Sequence, residues 1–315
     1  MKNILFYNLW HNGDVFSGRG YIKHIIDSLP NVKFGYYHKN NKKIVADLVR
    51  MQFTPELKKW EIEALNYRKI YETESTIYIN TWVGTYFHQH AERMQDHPNV
   101  IVNLPNEGHA NYRSLHLMYD FIIKQLNASL GTSIKLSNDP LDYVPEINWF
   151  PYDQDTAYAF MMQHDTKRKH LFCNGNVRSN QSTVADMSLI INALATEFSN
   201  DVFICTQKFD TRLPNVFFTS DIFNCDNDLN EIAYLSTWCS TIVGKNSGPF
   251  MFTHVRQNIY NSRKTFVAFS NHISDCYPHH INYLPCRYFF SDSRDPQHVY
   301  KVTRSALTHN RILSV

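Results

Sequence analysis

Short apolar runs, each ending in a polar loop and leading into a segment of helical period, recur along the whole chain. This alternation constrains the fold more than any other feature. In the first half, residues 3–9 read as a strand that ends in His11-Asn12-Gly13-Asp14-Val15-Phe16-Ser17-Gly18-Arg19-Gly20. A helix over Tyr21–Leu29 follows, stopped by Pro30-Asn31, and then a strand over Val32–Tyr37. Residues 41–72 read as helical and irregular. Strands are expected at Ser75–Trp82 and Val100–Leu104, with helices near Tyr86–Gln95 and over Tyr112–Leu130. After a helix near Asp153–His164, a second series begins at His170–Asn174. It continues with a helix over Val184–Phe198, strands at Val202–Thr206 and Val216–Thr219, and a helix over Asn227–Leu235. A strand at 241–243, a last strand at Thr265–Phe269 and a C-terminal helix over 296–307 complete it.

Strand–helix alternation predicts parallel sheets covered by helices. At 315 residues there is room for two domains of about 150 residues each. Residues 131–152, with Gly131, Pro140, Pro145 and Pro151, read as the connection between them. The expected fold is α/β, two Rossmann-like doubly wound domains facing a central cleft. The N-terminal domain would span 1–150 and the C-terminal one 151–295, with 296–315 a helix that packs back on the first domain.

Residues 241–257 are the most informative stretch. Thr241-Ile242-Val243 reads as a buried strand; Gly244-Lys245-Asn246-Ser247-Gly248 breaks it; Pro249 suits the first position of a new helix. Ser247 or Asn246 can cap, and Gly248 permits close approach to the backbone. Free amides, a hydroxyl and a lysine together suit an anion such as phosphate. An ordinary strand-to-helix turn has the same appearance. The loop Asn174-Gly175-Asn176-Val177-Arg178-Ser179-Asn180-Gln181-Ser182 offers a second set of donors, with Arg178 and Ser179 among them. Thr206, Gln207 and Asn224, at the ends of the next strands, are candidates for contact with a nucleobase. Asp14, at the end of the first strand, could take a proton from a hydroxyl; a turn or helix-start aspartate would look no different. His11, Asn12, Trp82, Glu107 and His109 are candidates for holding that hydroxyl's owner. Trp10 and Trp82 could stack on a sugar ring, with core packing the ordinary expectation for tryptophan.

Several other chemistries fit poorly. Net charge is +2 without a long basic run, which argues against nucleic acid as a partner. The six cysteines form no C-x-x-C pair and read as reduced, buried thiols. Asp153-Gln154-Asp155 and Asp226-Asn227-Asp228 match a metal-binding Asp-x-Asp, yet each opens a helix, where acids favour the macrodipole. His88/His90 and His279/His280 lack acidic or cysteine partners at ligand spacing, so no metal is expected. Gly13, Gly18 and Gly20 lack the remaining glycine of a dinucleotide fingerprint. The first apolar run is short for a signal peptide, and no stretch has the length of a membrane span. A cytoplasmic protein is expected, with peripheral membrane association left open.

The first strand followed by Gly13-Asp14 and a helix resembles the N-terminal signature of GT-B glycosyltransferases of the heptosyltransferase type, the family 9-like enzymes. Asn246-Ser247-Gly248-Pro249 is similar to that family's Asp-Thr-Gly-Pro-type phosphate loop, with Asn246 in place of the acid. Asn174-Gly175-Asn176 sits where such enzymes begin their donor domain, and His254 comes later than the histidine that often follows the glycine. The resemblance implies a hexosyl- or heptosyltransferase that uses a nucleotide-diphosphate sugar and a glycan or glycoconjugate acceptor, inverting and needing no cofactor. It implies Asp14 as base, with Asn174, Gly175, Arg178, Ser179, Lys245, Asn246, Ser247, Gly248 and Pro249 around the diphosphate. The alternatives are a non-catalytic nucleotide- or sugar-binding protein on the same scaffold and, further off, a glycosyltransferase acting on nucleic acid.

Overall fold

The computed structural model describes residues 2–10, 12–39, 44–49, 52–65, 68–83, 111–147, 153–177, 182, 186–224, 229–273, 276, 278 and 281–312. The chain divides into two compact units, residues 1–145 and 146–315.

In the first unit, β1 (Asn3–Asn8), β2 (Phe34–His38), β3 (Ile70–Glu72) and β4 (Thr76–Asn80) form a sheet of order β2-β1-β4-β3. β1 pairs in parallel with both β2 and β4, Leu5 lying opposite Gly35 and Tyr78. Its near-continuous apolar run fits a central strand covered on both faces. The edge strand β3 is antiparallel to β4. It falls in the stretch expected to be helical and irregular, which also holds the short α3 (Lys59–Ala64). The segment between β1 and Gly20, expected as a loop, is largely helical: α1 (Asn12–Ser17) runs nearly into α2 (Arg19–Ser28).

The helix over Tyr112–Leu130, α4, begins where Asn111 Oδ1 accepts the Ser114 amide and ends at Gly131, which takes φ 65°. Gly18 and Gly20 are packing glycines. A Cβ on Gly18 would lie 2.3 Å from Tyr119 Oη, and one on Gly20 would lie 2.1 Å from the Tyr143 carbonyl oxygen. Tyr143 belongs to a 3-10 turn, Pro140–Tyr143, and stacks on Tyr21, which stacks in turn on Tyr119. The stretch expected as a linker is therefore, up to Pro145, a packed part of the first unit. The expected helix at 86–95 and strand at 100–104 lie outside the described residues.

The second unit opens with α5 (Gln154–Gln163). Its sheet comprises β5 (Lys169–Cys173), β6 (Val202–Cys205), β7 (Val216–Phe218), β8 (Thr241–Lys245), β9 (Thr265–Phe269) and β10 (Arg287–Ser291), ordered β10-β9-β8-β5-β6-β7 and parallel throughout. This is the dinucleotide-binding strand order: from β5 the chain steps outward through β6 and β7, then returns to place β8 on the other side of β5. β10 lies beyond the strand expected to be last.

The helices are α6 (Met187–Glu197), α7 (Thr219–Phe223), α8 (Leu229–Trp238), α9 (Gly248–Phe252), α10 (Arg256–Ile259) and α11 (Pro296–Ile312). The segment after β8, expected as one helix, is two short pieces, α9 and α10. The C-terminal helix, expected to cross back, packs within its own unit: Val299, Ala306 and Leu307 share a core with α6, β6, β8 and β9. Among the described residues, no helix is long and apolar enough to cross a membrane.

Candidate functional site

In a doubly wound sheet, ligands bind at the carboxyl ends of the strands where the winding reverses. Here that point lies between β5 and β8; the described residues 174–177, 182 and 186 follow β5, and 246–247 follow β8. Thr206 and Gln207, after β6, adjoin the first loop. Asn174 Nδ2 donates to the Gln207 carbonyl and Asn174 Oδ1 accepts the Gln207 amide, both at 2.9 Å. Gln207 Oε1 accepts the Asn176 amide at 3.0 Å. Gln207 is thus a fixing residue for the 174–176 turn.

Gly244 is paired with Cys173, and a Cβ there would lie 2.3 Å from Phe250 Cδ2 and 2.9 Å from Cys173 Cβ. This close approach seats α9 directly over the end of β8. Lys245, the next residue, is 7% exposed. Burial holds its ammonium pKa below the ordinary lysine value, and Asp186, the N-cap of α6, offsets part of that effect. Ser247 caps α9 by position but not by side chain: its Oγ is buried without a hydrogen-bond partner. The Oγ of Ser182 and Oγ1 of Thr206 are likewise buried and unpartnered. Unsatisfied buried hydroxyls are uncommon in folded proteins, and here three of them lie on loops that follow β5, β6 and β8. A Cβ on Gly248 would meet nothing within 4 Å. Pro249 has no N–H to offer and starts the helix. The five residues of α9 make little macrodipole, so the positive charge at this point comes from Lys245 rather than from a helix terminus. Asn246 is buried, its amide bonded to the Phe269 carbonyl at 2.9 Å.

Asn224 lies elsewhere. It ends α7 beyond the edge strand β7, in a left-handed conformation with φ 49°, a position that favours asparagine on backbone grounds alone. Its distance in strand order from β5 and β8 separates it from the other donors. His254, late for the family's motif, is a core residue: Nδ1 bonds the Phe250 carbonyl at 3.0 Å, Nε2 meets Tyr288 Oη at 3.2 Å, and burial lowers its pKa to about 4.

In the first unit Asp14 is 8% exposed and sits in the first turn of the short helix α1. Beside it is a residue the sequence did not single out. Lys69 is fully buried; its Nζ donates to the carbonyls of Asn80 at 2.9 Å and Trp82 at 2.7 Å. Burial drives the Lys69 pKa well down, and the charge of Asp14 opposes that shift. Burial raises the Tyr119 phenol, with Asp14 adding to the effect. Asn12, the first residue of α1, has a buried and unpartnered Oδ1. Trp82 follows β4 and is half-buried. Asp153, of the first Asp-x-Asp pair, precedes α5 with φ 72° and makes no side-chain cap bond. His11, Glu107, His109, Arg178 and Ser179 lie outside the described residues, as do Asp226, Asp228 and the two histidine pairs.

No protein-family model matches the sequence, and no curated protein matches it. Among solved structures the chain is similar to the glycosyl transferase family 9 protein of Veillonella parvula DSM 2008, with TM-score 0.56 and 14% identity over 98% of each chain. It is similar to heptosyltransferase WaaC of E. coli with ADP-2-deoxy-2-fluoro heptose, with TM-score 0.55 and 9% identity over 98% of this chain and 99% of that one. It is also similar to UDP-GlcNAc 2-epimerase of Neisseria meningitidis bound to UDP-GlcNAc, with TM-score 0.51 and 9% identity over 99% of this chain and 92% of that one. At these identities the likeness concerns architecture: the chain has a GT-B, heptosyltransferase-like fold of two Rossmann-like α/β units.

Proposed function

We propose that this protein is a glycosyltransferase that moves a sugar from a nucleoside-diphosphate donor to a hydroxyl acceptor, inverting the anomeric centre without an essential metal. The observation that supports it most is Lys245, a buried ammonium at the reversal of the second sheet, with the unpartnered hydroxyl of Ser247 two residues on. A buried charge is costly unless compensated, and a diphosphate compensates it while accepting from the hydroxyls of Ser182, Thr206 and Ser247. Lys245 would bear the growing negative charge of the leaving diphosphate, with Arg178 and Ser179 contributing from the 174–186 loop. Asp14 would accept the acceptor's hydroxyl proton as its oxygen bonds to the anomeric carbon. The bond from that carbon to the diphosphate oxygen breaks, its electron pair leaving with the diphosphate. The nucleotide sugars bound in the WaaC and epimerase structures support a donor of this class.

The test begins with thermal shift of the purified protein against UDP, GDP, ADP, CMP and NAD, with manganese or EDTA. One nucleoside diphosphate at a hundred times its dissociation constant should stabilise by about 2.7 kcal/mol. Retention of that shift in EDTA is expected, and Lys245→Met should weaken binding about ten- to a hundredfold. A shift that requires manganese would overturn the metal-independent reading; stabilisation by NAD alone, or by nothing, would overturn the donor assignment.

The placement of Asp14 in a helix first turn beside Lys69 favours one second reading, a binding protein in which Asp14 is structural. Asp14→Asn separates the two. A transferase should lose about a hundredfold or more in turnover while keeping diphosphate affinity, whereas a binder has no turnover to lose.

A further inference from the structure

Lys69, one residue before β3, is fully buried. Its Nζ donates to the Asn80 carbonyl at 2.9 Å and the Trp82 carbonyl at 2.7 Å, and meets Met118 Sδ at 3.3 Å. Carbonyl oxygens and a thioether accept and do not donate. Three acceptors match the three N–H groups of an ammonium. A neutral amine has two N–H groups, and its lone pair would face the third acceptor. The surroundings therefore select the charged form, and a buried charge needs an opposite one beside it.

The opposite charge is Asp14. The Lys69 ammonium lies at the carboxyl end of β4, and Asp14 follows the carboxyl end of β1, the adjacent parallel strand. α4 touches both. Met118 meets Nζ, and the next residue, Tyr119, closes on Gly18, whose amide bonds the Asp14 carbonyl at 2.9 Å. Among the described residues, Asp14 is the acid whose charge acts on Lys69, against the effect of burial. The nearby phenols do not compete for the role. Tyr119 and Tyr7 are both raised by burial and stay neutral, Tyr7 Oη donating to the carbonyls of Leu65 and Arg68. Arg68, beside Lys69 in the chain, is exposed.

We propose that Lys69 is a positioning residue for the base: its ammonium holds Asp14 as a carboxylate and fixes it at the end of β1. A carboxyl group shut away from water drifts toward its protonated form, in which it takes no proton from a hydroxyl. An ammonium beside it opposes that drift and keeps the base available at neutral pH. The naming of Asp14 as base rests on the transferase reading; the ion pair does not.

Turnover is read as release of nucleoside diphosphate from UDP-glucose, GDP-mannose and ADP-glucose, with water as acceptor. Lys69→Met keeps most of the side-chain length and removes the charge. The acid limb of kcat/KM should then move up by about one to three pH units. The plateau rate above it and the nucleoside-diphosphate thermal shift should stay close to those of the parent. A lysine that only braced the Trp82 turn would instead lower the rate equally at every pH. The pair can also be read without turnover and without a Lys69 variant, by NMR titration of carbon-labelled lysine Cε. Coupling is reciprocal, so Asp14→Asn should lower the titration of Lys69 by about one pH unit or more. An acid limb unmoved in Lys69→Met, or a Lys69 titration indifferent to Asp14→Asn, would overturn the proposal. That coupling in a protein that turns over none of the three nucleotide sugars would keep the ion pair and remove the transferase reading.

Discussion

Two glycines four residues apart at the end of β8 differ in their surroundings. Gly244 is closed in by Phe250 and Cys173, whereas Gly248 faces open space. Gly244→Ala should therefore cost about 2 kcal/mol, the usual range for overpacking, and should disturb diphosphate binding by displacing α9. Gly248→Ala should leave urea stability within about 0.5 kcal/mol, since the added Cβ touches nothing in the fold. If the space beside it receives the diphosphate, its affinity should fall all the same. A Gly248→Ala protein with full affinity would remove that loop from the donor site. His254 offers a test by pH. Its folded pKa, about 4, lies below the ordinary 6.5, so the unfolded chain binds a proton that the native state refuses. Stability from this residue is complete above 6.5 and is lost as pH falls toward 4, by about 3 kcal/mol in all. Urea titrations across that window should show this loss in the parent and its absence in His254→Phe, whose ring fits among Phe250, Phe266 and Tyr288.

At the scale of elements, α2 is tied to the turn at 44–48 by one side chain. Arg19, 5% exposed, grips Asp47 through both terminal guanidinium nitrogens and also donates to the Ile44 carbonyl at 2.7 Å. Arg19→Met leaves Asp47 without its cation and should cost about 3 kcal/mol in chemical denaturation, with Arg19→Lys recovering only part of it. Elements with strong local signals were readable from sequence. The helix Tyr112–Leu130 has an asparagine cap, a helical apolar stripe and a terminal glycine, and each of these does in the structure what its type suggests. The run Thr241–Val243 is likewise a buried strand. Elements settled by tertiary contact were not readable. The segment 11–20 read as a loop, yet Gly18 and Gly20 are there to admit Tyr119 and the Tyr143 backbone. β10 has the exposure pattern of an edge strand, with Phe289 39% exposed, and lacks the continuous apolar run that marks buried parallel strands. Lys69 stands between Arg68 and Ile70 like any surface lysine; only the carbonyls gathered above it reveal that it is buried. Trp10 errs the other way, an apolar residue that follows the central strand and is 45% exposed.

For the whole molecule, the division into two units makes a prediction about where a donor leaves its mark. The donors assembled at the reversal point all belong to residues 146–315: the 174–176 turn held by Gln207, the hydroxyls of Ser182, Thr206 and Ser247, and the ammonium of Lys245. Lys69 and Asp14 belong to residues 1–145. Hydrogen exchange with the stabilising nucleoside diphosphate should therefore show its strongest protection at 173–177, 205–207 and 244–250. Amides there either meet the diphosphate or lie in loops it immobilises. Protection by the diphosphate centred on β1 and β4, with the β5 and β8 ends unchanged, would place the donor in the first unit. The roles of the units would then exchange, and Lys245 would be a buried cation balanced in part by Asp186 rather than a diphosphate ligand.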